Sequence, residues 1–156
     1  MLQSSMVRGS SVRYADTYQK VQAVRAIVIF EDRQERSLIR LLRPGFRHCF
    51  CLVGSDLAWT VCDPLLTRIE LVPLLGFGED DLACHYARSG RTVLLGSVSG
   101  NRTRHVRSLR PISCVEVLKR VLNFDARHVF TPFQLYRALL ELQPASERFR
   151  LHALSP

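Results

Sequence analysis

The sequence predicts an α+β domain in which a small antiparallel sheet, arranged as a meander, packs against helices. Three observations point to it. Two runs rich in aromatic and β-branched residues flank a Gly54-Ser55-Asp56 turn, a further alternating run follows Pro64, and capping signatures open helices in the last third of the chain. A chain of 156 residues suits one core. With 47% hydrophobic and 23% charged residues it has a globular rather than a disordered composition.

The elements follow in order. Residues 1–20 (MLQSSMVRGSSVRYADTYQK) are polar and serine-rich without an apolar period, the pattern of a flexible or partner-dependent arm. Val21 to Phe30 (VQAVRAIVIF) is apolar and β-branched and predicts a buried strand. Asp32 to Leu42 (DRQERSLIRLL) follows a charged turn with leucines at helical spacing, and Pro44-Gly45 ends it, so a short helix is expected there. RHCFCLV and LAWTVCD then form the arms of a hairpin, and TRIELV (67–72) supplies a third strand. Glu79 to Arg88 begins with three acids and stops before Gly90, the signature of a helix with a left-handed end; TVLLGSV (92–98) is another strand.

Arg102 to Arg110 reads as a loop or edge element. Ser113-Cys114-Val115-Glu116 and Thr131-Pro132-Phe133-Gln134 both match the capping box, placing helices over about 114–123 and 132–142. The domain therefore runs over 21–143, with a basic tail at 144–156.

Charge and cysteine content narrow the function. The net charge of +8 suits an anionic partner, but Arg102, Arg104, His105, Arg107 and Arg110, the densest basic stretch, lack interleaved aromatic residues for base stacking. Nucleic acid is thus a disfavoured partner that stays open. No apolar run approaches the roughly 18 residues of a membrane span, and residues 1–11 lack the apolar core of a secretion signal, so a cytoplasmic protein with reduced thiols is expected.

Two polar residues stand out. Cys114 opens a helix, where unpaired N–H groups and the positive end of the dipole favour a thiolate. Val117, Leu118 and Val121 share its side, which turns the thiol toward the sheet. His48 opens a strand and shares a face with Phe50 and Leu52. With Ser55 and Asp56 as the turn, cross-strand pairing sets His48 opposite Asp63, a carboxylate able to orient the ring. Cys114 as nucleophile, His48 as base and Asp63 as orienter make up the candidate site.

The same register puts Cys49 opposite Cys62 with Cys51 on their face, so a soft-metal site stays open. Its spacing lacks the paired C-x-x-C knuckles of structural zinc, and neither metal nor cofactor is expected.

FRHCFCLV, WTVCDPL and ISCVEVLKRVL, in that order, resemble the circularly permuted papain-like fold of the NlpC-type peptidases and lecithin retinol acyltransferase. The resemblance implies a thiol-dependent hydrolase or acyltransferase acting on an amide, ester or thioester in an acyl or peptide substrate, with Cys114 and His48 as the pair. In those families the third residue falls nearer the histidine, at the position of Thr60 here, so Asp63 and Thr60 are alternatives. LRPGFRHCFCLV, WTVCDP and SCVEVLKR also resemble small proteins of bacteriophages and prophages. That second likeness implies a virion-associated location, other phage structural proteins as partners, and a noncatalytic virion or assembly role as the alternative function.

Overall fold

The computed structural model describes residues 24–33, 40–98, 113–141 and 149–153. The expected arm over 1–20, the start of the first strand at 21–23 and the basic stretch at 102–110 lie outside these. So do most of the short helix expected over 32–42 and of the tail.

The architecture is α+β: among the described residues, a six-stranded, wholly antiparallel open sheet with three helices. The elements run β1 (Arg25–Glu31), β2 (His48–Ser55), β3 (Ala58–Pro64), β4 (Ile69–Leu75), α1 (Glu79–Arg88), β5 (Thr92–Ser97), α2 (Cys114–Val121), α3 (Pro132–Glu141) and β6 (Arg150–Leu151). Their order across the sheet is β4-β3-β2-β1-β5-β6. The meander of β2, β3 and β4 matches the sequence pattern, whereas β6 forms within the segment expected as tail and pairs with β5.

An unbroken apolar strand needs cover on both faces, and β1 has it. Ala26, Val28 and Phe30 face α2 and α3 together with Cys49, Cys51, Cys62 and Leu94. Ile27 and Ile29 face α1, with Phe50, Leu52, Trp59, Leu82 and Ala83. Each fully buried leucine, such as Leu118 on α2 or Leu139 on α3, contributes about 1.5–3 kcal/mol of transfer free energy.

The hairpin corrects one expectation. Ser55 pairs with Ala58, so the turn is Asp56-Leu57, and the register of β2 on β3 is displaced by two residues from the one expected. The last rungs of the ladder are Leu52 with Val61 and Cys51 with Cys62, and continuing them sets Asp63 opposite Phe50 rather than His48. Asp56 takes the left-handed φ of 50°, which a short polar side chain tolerates. Gly54, which reads as a turn residue in sequence, lies inside β2. A Cβ there would come within 2.2 Å of the Ala58 carbonyl oxygen, so glycine is needed for close strand approach.

The expected helix over 32–42 is corrected at its described ends. Asp32 and Arg33 are irregular, and Arg40-Leu41 form only a tight helical turn. Gly45 supports the stop with φ 81°, while Asp32 Oδ1 accepts the Gly45 N–H at 2.7 Å. The third strand runs over Ile69–Leu75 instead of 67–72, because Pro73 is tolerated at the sheet edge. That edge leaves Leu71 and Leu75 65% and 74% exposed.

Helix starts follow the capping chemistry. Ser113 Oγ accepts the Glu116 N–H at 3.2 Å. At α3 the box is reciprocal, with Thr131 Oγ1 accepting from Gln134 N and Gln134 Oε1 accepting from Thr131 N. Glu116 turns instead to Lys119 at 2.8 Å, and Lys119, buried under the helix, donates to the carbonyls of Ala126 and Val129. Among the described residues no helix is long and apolar enough to cross a membrane.

Candidate active site

The site lies at the end of the sheet where β2 begins and β3 finishes. His48 opens β2, Asp63 is the penultimate residue of β3, and Cys114 is the first residue of α2. His48 follows Phe50 in alternation and its ring stacks near that of Phe50, centroids 6.3 Å apart. Because His48 is the terminal residue of its strand, the helix layer on the opposite face reaches its ring around the strand end.

The displaced register does not separate histidine and carboxylate. A shift of two residues keeps every side chain on its face, so Asp63 stays on the His48 side as a diagonal neighbour. His48 Nε2 and Asp63 Oδ1 are 2.8 Å apart and both side chains are buried. Arg33 Nη2 donates to the other carboxylate oxygen, Asp63 Oδ2, at 2.9 Å, and Arg33 Nε lies 3.2 Å from Glu31 Oε1. Glu31 in turn holds Arg91 at 2.6 Å. Burial works to raise the Asp63 carboxyl, yet its hydrogen bonds with His48 and Arg33 hold it below the usual carboxylate range.

Asp63 engages Nε2, and the ring also interacts with Cys114. Burial alone would drive the imidazolium to lose its proton. The hydrogen bonds to Asp63 and Cys114 outweigh it and raise the His48 pKa from 6.5 to about 9.

The Cys114 thiol is pulled the other way, from 9.0 to about 5. The largest cause is a hydrogen bond from the Cys49 thiol; burial opposes it, and the hydrogen bond and charge of His48 and the Cys49 backbone N–H add to it. Cys49 is fully buried, and burial followed by the Cys114 interaction pushes its own pKa well up, so it remains a protonated donor. Between pH of about 5 and about 9 the pair therefore stands as thiolate and imidazolium.

The first turn of α2 adds hydrogen-bond donors. Ser113 takes the N–H groups of Glu116, through its side chain, and of Val117, through its carbonyl. The Cys114 and Val115 N–H groups, at the first turn of α2, have no intrahelical acceptor, and donors of this kind can hold an oxyanion.

Cys114 and His48 line one cavity of about 240 Å³. Leu42, Pro64, Leu65, Leu66, Phe130 and Pro132 form apolar walls, and Arg33 and Arg47 supply charge. Leu66 and Phe130 are 74% and 59% exposed, so the mouth opens to solvent through an apolar rim.

The structure thus brings Cys114, His48 and Asp63 together. Thr60, the alternative third residue, pairs with Val53 in the body of the hairpin and does not line the cavity. Sequence reasoning did not single out Cys49 as the thiolate's donor or Arg33 as the anchor of Asp63. Cys49 carried a signal of sorts, since it immediately follows His48 and alternation points it at the helix layer. Arg33 lay inside an expected helix and carried none.

Cys51 and Cys62 are packed within the core. Cys51 stands opposite Cys62, and the hydrogen bond between them raises the Cys51 pKa and lowers that of Cys62. No three His, Cys, Asp or Glu side chains among the described residues converge to hold a metal.

No protein family, curated protein or solved structure matches the chain.

Proposed function

We propose that this protein is a thiol-dependent hydrolase or acyltransferase that opens an amide, ester or thioester through Cys114. The observation that carries the reading is the series Cys114, His48, Asp63, Arg33, whose first two members line a solvent-open cavity.

Each residue has a step. The Cys114 thiolate attacks the carbonyl carbon, and the carbonyl electron pair moves onto oxygen, facing the free N–H groups at the start of α2. His48, as imidazolium, gives a ring proton to the departing amine, alcohol or thiol as the tetrahedral intermediate collapses to an acyl-Cys114. A water or acceptor alcohol then loses a proton to His48 and attacks the acyl carbon, releasing the thiolate. Asp63 holds the ring in place through Nε2, and Arg33 keeps Asp63 ionised and aligned. Helix α2 and the β2 end supply rigid supports, so little reorganisation is needed. The permuted papain-like relationship, with Asp63 in the third role, belongs to the same proposal.

An acyl probe with a thioester or fluorophosphonate-free activated ester warhead tests it, read by intact mass and peptide mapping. Labelling is expected at Cys114, and Cys114→Ala is expected to abolish it while costing no more than about 1–2 kcal/mol of unfolding free energy. Equal labelling of the Cys114→Ala protein overturns the proposal.

A further inference from the structure

Two arginines line the cavity, and they are differently engaged. Arg33 is committed to Asp63 and Glu31. Arg47 is adjacent to His48 in sequence, its side chain is only 25% exposed, and its Nε is buried without a hydrogen-bond partner. Asp32 Oδ1 lies 3.7 Å from that Nε, within ion-pair range but too far for a hydrogen bond, and it already accepts the Gly45 N–H at 2.7 Å. An arginine donor withdrawn from water without an acceptor is costly, and a fork of N–H groups best matches a planar or tetrahedral oxyanion.

The geometry points to Arg47 as an anion-binding residue of the substrate cavity: the group transferred to Cys114 carries a carboxylate or phosphate close to its reactive carbon. This deepens the function proposed above and rests on Cys114 being the reactive thiol. The cavity's composition agrees with it. Apolar walls at Leu42, Leu65 and Phe130 lower the local dielectric, so a guanidinium whose one carboxylate contact is a loose 3.7 Å pair with Asp32 acts strongly on an entering charge. Glu31 and Asp63 are each held by Arg33, and Asp32 is the carboxylate that an entering anion would supplement at Arg47.

A pair of alkylating agents that differ only in charge reads this without knowing the substrate. In either reagent the Cys114 thiolate attacks the methylene carbon, a C–S bond forms, the C–I bond breaks and iodide leaves. Iodoacetate carries a carboxylate beside the reacting carbon, and iodoacetamide carries a neutral amide there. The rates of both are measured at the Cys114 peptide of the full chain by mass spectrometry, and their ratio is compared between variants. Arg47→Gln is expected to lower the iodoacetate to iodoacetamide ratio about tenfold, the effect of one unit charge across a few partly screened ångströms. Arg88→Gln, at the exposed end of α1, is expected to leave the ratio as it is.

Arg47→Lys keeps the charge and is expected to retain most of the preference. A ratio unchanged by Arg47→Gln overturns the assignment, as does an equal loss in Arg47→Gln and Arg47→Lys accompanied by a lowered Tm. Protection of the unsubstituted protein from iodoacetamide by succinate or by inorganic phosphate tells a carboxylate from a phosphate. The two proposals fail separately: a Cys114 no faster with iodoacetamide than an ordinary thiol near pH 6 removes the hydrolase reading, whereas a fast Cys114 with an unchanged ratio removes only the role of Arg47.

Discussion

Two cysteine–histidine contacts occur among the described residues, and they are unequal. Cys114 and His48 meet at the end of β2, within the cavity. Cys84 on α1 and His152, just after β6, meet away from the cavity, with Sγ to Nε2 at 3.6 Å. What separates them is the surroundings. His48 has Asp63 on its second nitrogen and Arg33 behind Asp63, and Cys114 has a buried thiol donating to it. Among the described residues His152 has no carboxylate on its ring, and Cys84 does not line the cavity. The His152 backbone N–H instead bonds to the Val93 carbonyl at 2.9 Å, so the contact fastens the end of the chain to the sheet. Contact between sulfur and imidazole is therefore common chemistry for packing; an oriented, charged pair beside open space is what catalysis requires.

Removing the orienter strains this contrast most. Asp63→Asn is expected to reduce acyl transfer about 10²- to 10⁴-fold, the range of a positioned acid–base group. The pH profile tells positioning from mere damage. The reactive pair needs Cys114 ionised, above about 5, and His48 protonated, below about 9. The Asp63 hydrogen bond raises the His48 pKa, so its loss moves the alkaline limb to lower pH. A profile that loses height without moving its alkaline limb would give Asp63 a purely structural role.

A smaller effect separates the two buried thiols of β2. Cys49→Ala deletes the main donor to the Cys114 thiolate, so the Cys114 pKa is expected to rise. A rise of about one unit cuts the thiolate fraction near pH 5 about fivefold, read as the rate of alkylation at Cys114. Cys51→Ala, on the same face but paired with Cys62, is expected to leave that rate unchanged. Equal effects of the two substitutions would trace the change to a shift of the buried side chains beneath α2 instead.

Least is expected of the second contact. Cys84→Ala is predicted to keep acyl-probe labelling at Cys114 and to cost about 1 kcal/mol of stability or less in thermal unfolding, in keeping with a half-buried thiol. Loss of labelling would show that the two contacts are not independent.

The site was partly legible before the fold was known. His48, Asp63 and Cys114 could be named because their local signals are strong: a strand-opening histidine, a strand-ending carboxylate and a cysteine one residue after a capping serine. The reason given for bringing the first two together was in error, since the hairpin turn is Asp56-Leu57 and the register is displaced by two. The pair survives because strands alternate with period two, so an even displacement preserves the face and lengthens the contact only to a diagonal. An odd displacement would have sent Asp63 into the opposite core.

Local chemistry alone settled the α+β class, the helix starts at Ser113 and Thr131, and the left-handed stop at Gly90, whose φ is 78°. Capping and turn preferences act over three or four neighbouring residues, so they are written in adjacent letters. The thiolate's donor at Cys49, the anchoring of Asp63 by Arg33, the unsatisfied Nε of Arg47 and the docking of β6 against β5 emerged from the assembled sheet and helices. Each depends on packing between segments far apart in the chain, where burial and dielectric set the strength of a hydrogen bond or charge, and neither quantity exists until the core has closed.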